Sequence, residues 1–172
     1  MEVIVRQANS SDFETVAQLG RETFYETWRS VNTEEDLQVY LVEAFEPLRV
    51  QGELNDTVTN GFLVAEIDGK AIGYLKYRFG SDHADFTDQM AAEIERLYIF
   101  RTFHGKGVAQ LIMDTALNNL RNEGYQWVYL GVDVNNHRAI RLYEKYGFVK
   151  FDVKPFRIGN AVDTDQLMKR PL

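Results

Sequence analysis

The sequence predicts an α/β fold, a central sheet of mixed strand direction covered by helices on both faces. Three observations carry that expectation. Asp68-Gly69 separates two β-type runs, residues 61–67 and 70–79, and this pair tolerates the positive φ of a type I′ hairpin turn. Residues 93–122 read as a strand, a basic glycine turn and an amphipathic helix. Further helical and strand patterns alternate on both sides of the hairpin. With 172 residues, 45% of them hydrophobic, residues 1–172 fit one domain with a proper core.

Taken in order, Val3 to Arg6 is a short β-type run. Ser11-Asp12-Phe13-Glu14 has capping-box spacing, with Ser11 and Glu14 expected to satisfy the first helical N–H groups. The helix that follows runs to about Trp28, its apolar positions Phe13, Val16, Ala17, Leu19, Phe24 and Trp28 recurring near helical period. Thr33-Glu34-Glu35-Asp36 starts a second helix through Tyr40, Leu41 and Phe45 that stops near Pro47, and a short third covers 48–55. After the hairpin, residues 80–90 are rich in Ser, Asp and Gln and read as a loop. A strand over 93–100 comes next, then a helix over 107–122, a strand over 126–134 and a helix over 136–146. Strands near 148–154 and 162–169 close the chain. In the strand over 93–100, alternation sets Ile94, Arg96 and Tyr98 against Glu95, Leu97 and Ile99.

Composition removes several classes of chemistry. The absence of cysteine excludes disulfides, a thiolate nucleophile and thiolate metal ligands. His83, His104 and His137 are too dispersed to suggest a metal site, and no Ser/His/Asp arrangement is recognisable. A net charge of −7 argues against nucleic acid as a partner and mildly favours a cationic small molecule, although ordinary solubility explains it equally. No apolar run has membrane-spanning length, and Met1-Glu2-Val3-Ile4-Val5-Arg6 lacks the pattern of a signal peptide, so the expected location is the cytoplasm, with no membrane partner. The acidic residues cluster. Glu34, Glu35, Asp36, Glu43, Glu46, Glu53 and Asp56 follow the first helix, while Asp82, Asp85, Asp88 and Glu93 precede the glycine turn. Around Arg101, His104 and Lys106 the local charge is positive.

That turn, His104-Gly105-Lys106-Gly107-Val108-Ala109, aims unpaired backbone N–H groups outward from the positive end of a helix, and its glycines let a bulky anion approach the main chain. The default ligand is a phosphate group. A Walker-type loop is disfavoured because Lys106 precedes Gly107 and no Lys-Ser/Thr pair follows, and a dinucleotide fingerprint lacks its third glycine at Gln110. Asn136-His137-Arg138-Ala139-Ile140-Arg141-Leu142-Tyr143-Glu144-Lys145-Tyr146-Gly147-Phe148 is a second unit, a helix carrying Asn and Tyr and ending at a glycine before an aromatic.

Together the two segments resemble the GNAT superfamily of acetyl-CoA-dependent N-acetyltransferases. The resemblance implies a GNAT fold, with a twisted, mixed but mostly antiparallel central sheet, and acetyl-CoA as cosubstrate without a metal. His104 departs from the Arg or Gln usual at its place in the Arg/Gln-x-x-Gly-x-Gly/Ala pattern. By the same resemblance, the strand before the turn is bulged and splays from the strand after the helix, and the main chain of Leu97, Tyr98 and Ile99 bonds the pantetheine amides. Asn136 contacts the pantetheine arm or caps its helix, or does both. Lys145 lies near the adenine or phosphate end.

Acetyl transfer from a thioester to an amine needs a neutral amine, a donor for the developing oxyanion and a proton for the departing thiolate. An amine of pKa about 10.4 is roughly 0.1% neutral at about pH 7.4, so deprotonation alone represents about 4 kcal/mol. Glu95 is the first candidate base, through water, and Glu93 the second; a strand carboxylate that simply pairs with Arg96 or another cation is the alternative. Tyr143 is the expected acid, since a phenol is neutral at physiological pH yet donates a proton. It stands seven residues from Asn136, nearly two turns, on the same helix face. Tyr146 is expected to pack or cap, and the N–H of Leu97 to polarise the acetyl carbonyl.

On the acceptor side, Glu22-Thr23-Phe24-Tyr25-Glu26-Thr27-Trp28, Asn32 with Glu34 to Asp36, and Tyr40-Leu41-Val42-Glu43-Ala44-Phe45 resemble the bacterial PaiA-type polyamine acetyltransferases. That resemblance implies a small amine such as spermidine or spermine, drawn in by Glu22, Glu26 and the acidic loop. A protein N-terminus or another amine as acceptor, and a non-catalytic CoA-binding module, are the rival readings. Monomer and homodimer are both compatible with the sequence.

Overall fold

The computed structural model describes residues 2–87 and 89–172; Met1 and Asp88, the latter part of the acidic set before the glycine turn, lie outside the described residues. The strands are β1 (Ile4–Gln7), β2 (Asn60–Ile67), β3 (Lys70–Phe79), β4 (Ala91–Ile99), β5 (Trp127–Asp133), β6 (Val149–Ile158) and β7 (Ala161–Pro171). The helices are α1 (Phe13–Trp28), α2 (Glu34–Phe45), α3 (Pro47–Asn55), α4 (Val108–Asn122) and α5 (His137–Lys145). One sheet joins the strands in the order β1-β2-β3-β4-β5-β7-β6, with β4 and β5 parallel and the other described neighbours antiparallel.

Both faces are buried because the strands alternate between two apolar sets. Leu63, Ala65 and Ile67 of β2 join Ile112, Met113 and Leu120 of α4 in one core, which also takes in Tyr143 of α5. Phe62 and Val64 turn the other way, onto Val16 and Leu19 of α1 and Val50 of α3. Beside that second layer, Phe24, Leu37, Leu41 and Phe45 pack α1 on α2 against Ile158. Burying a large apolar side chain of this kind stabilises by about 1.5–3 kcal/mol. No described helix is long and apolar enough to cross a membrane.

Local rules account for most element boundaries. Asp68 (φ 49°) and Gly69 (φ 73°) form the two-residue turn between β2 and β3 as expected. Thr33 caps α2 through the N–H of Asp36, and Glu46 caps α3 through the N–H of Arg49 with Pro47 in the first turn. The cap before α1 differs from expectation. The cap is Asn9 rather than Ser11: its side chain accepts from the Ser11 N–H while Asp12 accepts from the Asn9 N–H, so the reciprocal pair forms over a short 3-10 turn two residues earlier than Ser11/Glu14. Arg6 explains the choice, because its guanidinium grips Asp12 at 2.8 and 2.9 Å and fixes it there. The loop over 80–90 also contains a 3-10 turn, Ala84–Phe86, and β6 and β7 run longer than expected.

The strand alternation is also corrected. In β4, Arg96 pairs with Lys76 and Ile94 with Tyr77, leaving Glu95 as an extra residue, a β-bulge. The phase therefore shifts at Glu95. Ile94, Leu97 and Ile99 meet the α4 core, while Tyr98 meets the α1 and α2 layers and the Arg96 guanidinium lies 5.2 Å above the Phe45 ring.

Candidate active site

The bulge opens the sheet. Parallel pairing of β4 with β5 runs from Ala91/Trp127 to Ile94/Leu130 and stops there, while β5 continues to Asp133 paired with β7. Leu97 to Ile99 and Gly131 to Asp133 thus form the two walls of a splayed slot. The slot belongs to a cleft of about 830 Å³ that reaches from the glycine turn, along α5, to the second half of α1. Its size is in the range that holds small-molecule ligands.

At one end lies the turn. Gly105 (φ 75°) and Gly107 (φ 84°) adopt left-handed backbone, and an added Cβ at either would meet nothing within 4 Å, so conformation and close approach, rather than packing, call for glycine. The N–H groups of Gly105 to Gln110 have no acceptor among the described residues. Six adjacent donors at the start of a 15-residue helix suit a pyrophosphate, which is the fit expected for coenzyme A. Arg101 and Arg138 also line this end, and Arg138 has no ion pair among the described residues. Burial first and Arg101 second lower the Arg138 pKa below its usual value. Two cations facing one cleft invite an anion between them. Arg138 was missed by the sequence reading, although its place two residues after Asn136 was the available signal.

Other expected turn residues behave differently. The Lys106 ammonium sits 5.4 Å over the Phe103 ring and Lys106 does not line the cleft. Val108 buries its side chain in the core, leaving only its N–H toward the turn. His104 lines the cleft, but its Nε2 is spent on the Ile99 carbonyl at 2.8 Å. Burial holds its pKa below the usual histidine value, with Arg138 and Arg101 acting the same way and the bond to Ile99 opposing them. A neutral ring that donates to Ile99 thus ties the turn to the end of β4.

Along α5, Asn136 caps the helix by accepting from the Ala139 N–H at 3.2 Å and also lines the cleft, as does Lys145. Tyr143 lines it nearly two turns further along the same face. Its ring packs on Phe148, and its hydroxyl has no hydrogen-bond partner among the described residues. Burial pushes the phenol pKa up to about 12, so it is neutral and carries its proton. Tyr146 is spent on α4, donating to the Gln110 carbonyl and to Asp114 at 3.0 and 2.8 Å.

At the opposite end a smaller cavity of about 130 Å³ shares Glu95, Arg96, Tyr98, Gly131 and Asp165 with the cleft and adds Tyr40, Glu93 and Lys154. Glu95 is held at 3.0 Å by the Lys76 ammonium, which also meets Glu53 at 3.0 Å, and Arg96 closes the group on Glu53 at 3.1 Å. The pairing with cations foreseen as the alternative for Glu95 is therefore present. Glu93 is buried among Arg78, Lys154 and the Tyr129 hydroxyl. Glu22 is exposed and bonded to Gln18, the Asp36 carboxylate accepts from the Thr33 hydroxyl and the Asn160 N–H, and Glu34 takes the Tyr25 hydroxyl. None of these three lines either cavity, whereas Glu26 does, accepting the Arg101 N–H at 3.2 Å. The remaining acidic lining comes from Glu93 and Glu95 on β4, Asp133 on β5 and Asp165 on β7, which the sequence could not bring together.

Asp165, on β7, was also missed. Burial raises its pKa to about 6, Asp133 and Asp163 add to the rise and Lys154 opposes it. The folded-state value lies above the unfolded 3.8, so the native state holds this proton more tightly. Stability from that proton is fully present below about pH 3.8 and is lost as pH rises through about 6, an effect on the order of 1–3 kcal/mol. Asp165→Asn is expected to flatten this part of the stability curve, measured by urea unfolding across that range. An unchanged slope contradicts it.

A bulged strand splayed from its parallel neighbour, a cationic glycine turn at a helix start and a neutral tyrosine beside the slot define an acyl-CoA-dependent transferase. The comparisons with known proteins agree. The family model of the acetyltransferase (GNAT) family matches residues 16–148, and the chain belongs to that family. It is similar to an uncharacterized N-acetyltransferase from the pepI 3′ region of Lactobacillus delbrueckii subsp. lactis, 28% identical over 170 residues that cover 99% of this chain and 98% of the other. Among solved structures, PaiA N-acetyltransferase of Thermoplasma acidophilum in complex with coenzyme A has a TM-score of 0.82 at 20% identity, covering all of both chains. Arabidopsis thaliana NAA60 in complex with a bisubstrate analogue has 0.75 at 19% identity, covering 99% of this chain and 98% of the other. These two share the fold. The protein is an acetyl-CoA-dependent N-acetyltransferase.

Proposed function

We propose that the acceptor is a primary amine of a polyamine such as spermidine or spermine. The observation that carries this reading is the acidic inner cavity, where Glu93, Glu95 and Asp165 gather beside the slot. A cation with several separated centres engages such a set and the outer Glu26 together, which a simple monoamine does not. The single chain acts as one catalytic domain in this reading.

Bound acetyl-CoA supplies the activated acetyl thioester. The free N–H groups of the turn from His104 to Ala109, with Arg101 and Arg138, hold its pyrophosphate, and Lys145 stands toward the phosphate or adenine end. The main chain of Leu97, Tyr98 and Ile99 guides the pantetheine arm opposite Asn136, and the Leu97 N–H polarises the acetyl carbonyl. Tyr143 gives its proton to the departing thiolate. Glu95, anchored by Lys76, draws in and orients the acceptor's ammonium.

The test compares kcat/KM for spermidine and spermine with that for a simple alkylamine and an N-terminal peptide at two ionic strengths. The polyamines are expected to win, with an acceptor KM that rises with salt, because exposed charges are screened over about 8–10 Å. Preference for the peptide or the alkylamine, or a polyamine KM that salt leaves unmoved, removes the polyamine and leaves the acetyl transfer standing. Peptide N-termini are the second reading, favoured by the aromatic flank of the cleft at Trp28 and Phe156.

A further inference from the structure

Asp165 stands where β5, β7 and β6 meet beside the opening of the sheet, opposite Asp133 on one side and Lys154 on the other. Gly131 leaves room for it: a Cβ there would lie 3.1 Å from Asp165 Oδ2 and 3.0 Å from Lys154 Cε. The carboxyl group therefore fills the space vacated by a side chain at the wall of the slot. It lines both the cleft and the inner cavity, is 8% exposed, and has neither hydrogen bond nor ion pair among the described residues. Lys154, the nearest cation, spends its ammonium on Glu93 at 3.3 Å. A buried carboxylate without a partner is costly unless a ligand supplies one.

We propose that Asp165 is the catalytic base that takes the proton from the acceptor's ammonium. The inference rests on the amine-acceptor reading above. The other carboxylates of the cavity are engaged, Glu95 by Lys76 and Glu93 by Arg78 and Lys154. Asp165 is the one of the three with both oxygens unengaged among the described residues, since Glu95 spends Oε1 on Lys76 and Glu93 uses both of its oxygens, and an entering ammonium becomes their partner.

The charged or titratable groups facing Asp165 are Asp133 on β5, Lys154 on β6, Asp163 on its own strand, Glu93, Glu95, Arg96 and Tyr98 on β4, and Tyr40 on α2. Arg96 and Lys154 oppose a further positive charge, while Asp133 and Asp163 strengthen the basicity of Asp165. A carboxyl that titrates at about 6 is charged at physiological pH yet basic enough to accept a proton.

The step balances. One ammonium proton passes to Asp165, the freed nitrogen lone pair forms the C–N bond to the acetyl carbon, and the C–S bond breaks with its electron pair leaving on sulfur. Tyr143 protonates that sulfur, the second nitrogen proton restores the Tyr143 phenol through solvent, and Asp165 releases its own proton to solvent.

The experiment records kcat/KM for a polyamine against pH in the wild-type enzyme and in Asp165→Asn, with the coenzyme A affinity of both as a check on folding. Wild type is expected to show an acid limb with its inflection near 6. The variant is expected to lose about 10²-fold or more at about pH 7.5, to lack that inflection, and to recover as pH approaches the amine pKa, because free amine from solution then bypasses the base. A variant that keeps the wild-type limb and rate overturns the assignment while leaving the acetyltransferase reading intact. A second measurement needs no turnover: the ¹³C carboxyl shift of Asp165 is followed against pH in the wild-type protein, with and without a polyamine. Expected are a midpoint near 6 in the free enzyme and a lower one when the ammonium is bound. A polyamine that binds without moving the midpoint overturns the proposal, even if no amine is acetylated. That last result alone counts against the acceptor reading.

Discussion

Tyr143→Phe is expected to lower kcat by about 10²–10⁴-fold while leaving the Kd for acetyl-CoA nearly unchanged, since proton transfer by a positioned group commonly has that worth. The ring is the buried part. It packs on Phe148 within the α4 core, and phenylalanine retains that contact. The hydroxyl has no protein partner among the described residues, so removing it leaves no buried donor or acceptor stranded and costs little stability. Burial keeps the phenol protonated far above physiological pH, so the loss is expected to be uniform across the neutral range rather than to appear as a shifted pH limb. Pre-steady-state turnover checks this, because slow product release could otherwise mask the chemical step. A chemical step at the wild-type rate reduces Tyr143 to a packing residue.

Gly107→Asp is expected to weaken coenzyme A binding by at least about 10²-fold. Two effects add. The backbone there has φ 84°, which costs a non-glycine residue on the order of 1 kcal/mol, and the carboxylate stands where the anion meets the free N–H groups, forfeiting charge-assisted bonds of about 1.5–3 kcal/mol. Gly107→Ala isolates the first effect and is expected to fall between wild type and the aspartate variant. Calorimetric titration with coenzyme A orders the three proteins. Equal affinity in all three contradicts the placement of the pyrophosphate at this turn.

The contrast between Gly107 and Asp165 shows which parts of the site were legible in the sequence. The turn is local: glycine spacing, flanking cations and the helix that follows are contiguous, so the donors at Gly105 to Gln110 follow from a short stretch of residues. The same holds for Asn136 and Tyr143, two turns apart on one helix, and for the hairpin at Asp68-Gly69. Asp165 becomes informative only when β7 is placed between β5 and β6 and Gly131 opens a space for its carboxyl group, neither of which is visible along the chain. Glu95 was misassigned in strand phase for a related reason. A one-residue bulge leaves no mark in an alternating pattern, yet it turns Ile94 and Leu97 to the same face and carries Glu95 onto Lys76. The acidic loop after α1 does not line the cleft, because Asp36 is spent on the Thr33 hydroxyl and the Asn160 N–H and Glu34 on the Tyr25 hydroxyl.

Amine-dependent thiol release from acetyl-CoA, read together with the mass of the product amine, tests the central claim most directly. The slot, the cationic turn and Tyr143 predict one thiol released for each amine acetylated, with release abolished by omitting the amine and strongly reduced in Tyr143→Phe. Coenzyme A that binds at the turn without any amine in a broad panel being acetylated, or thiol release that proceeds equally without amine, contradicts the account.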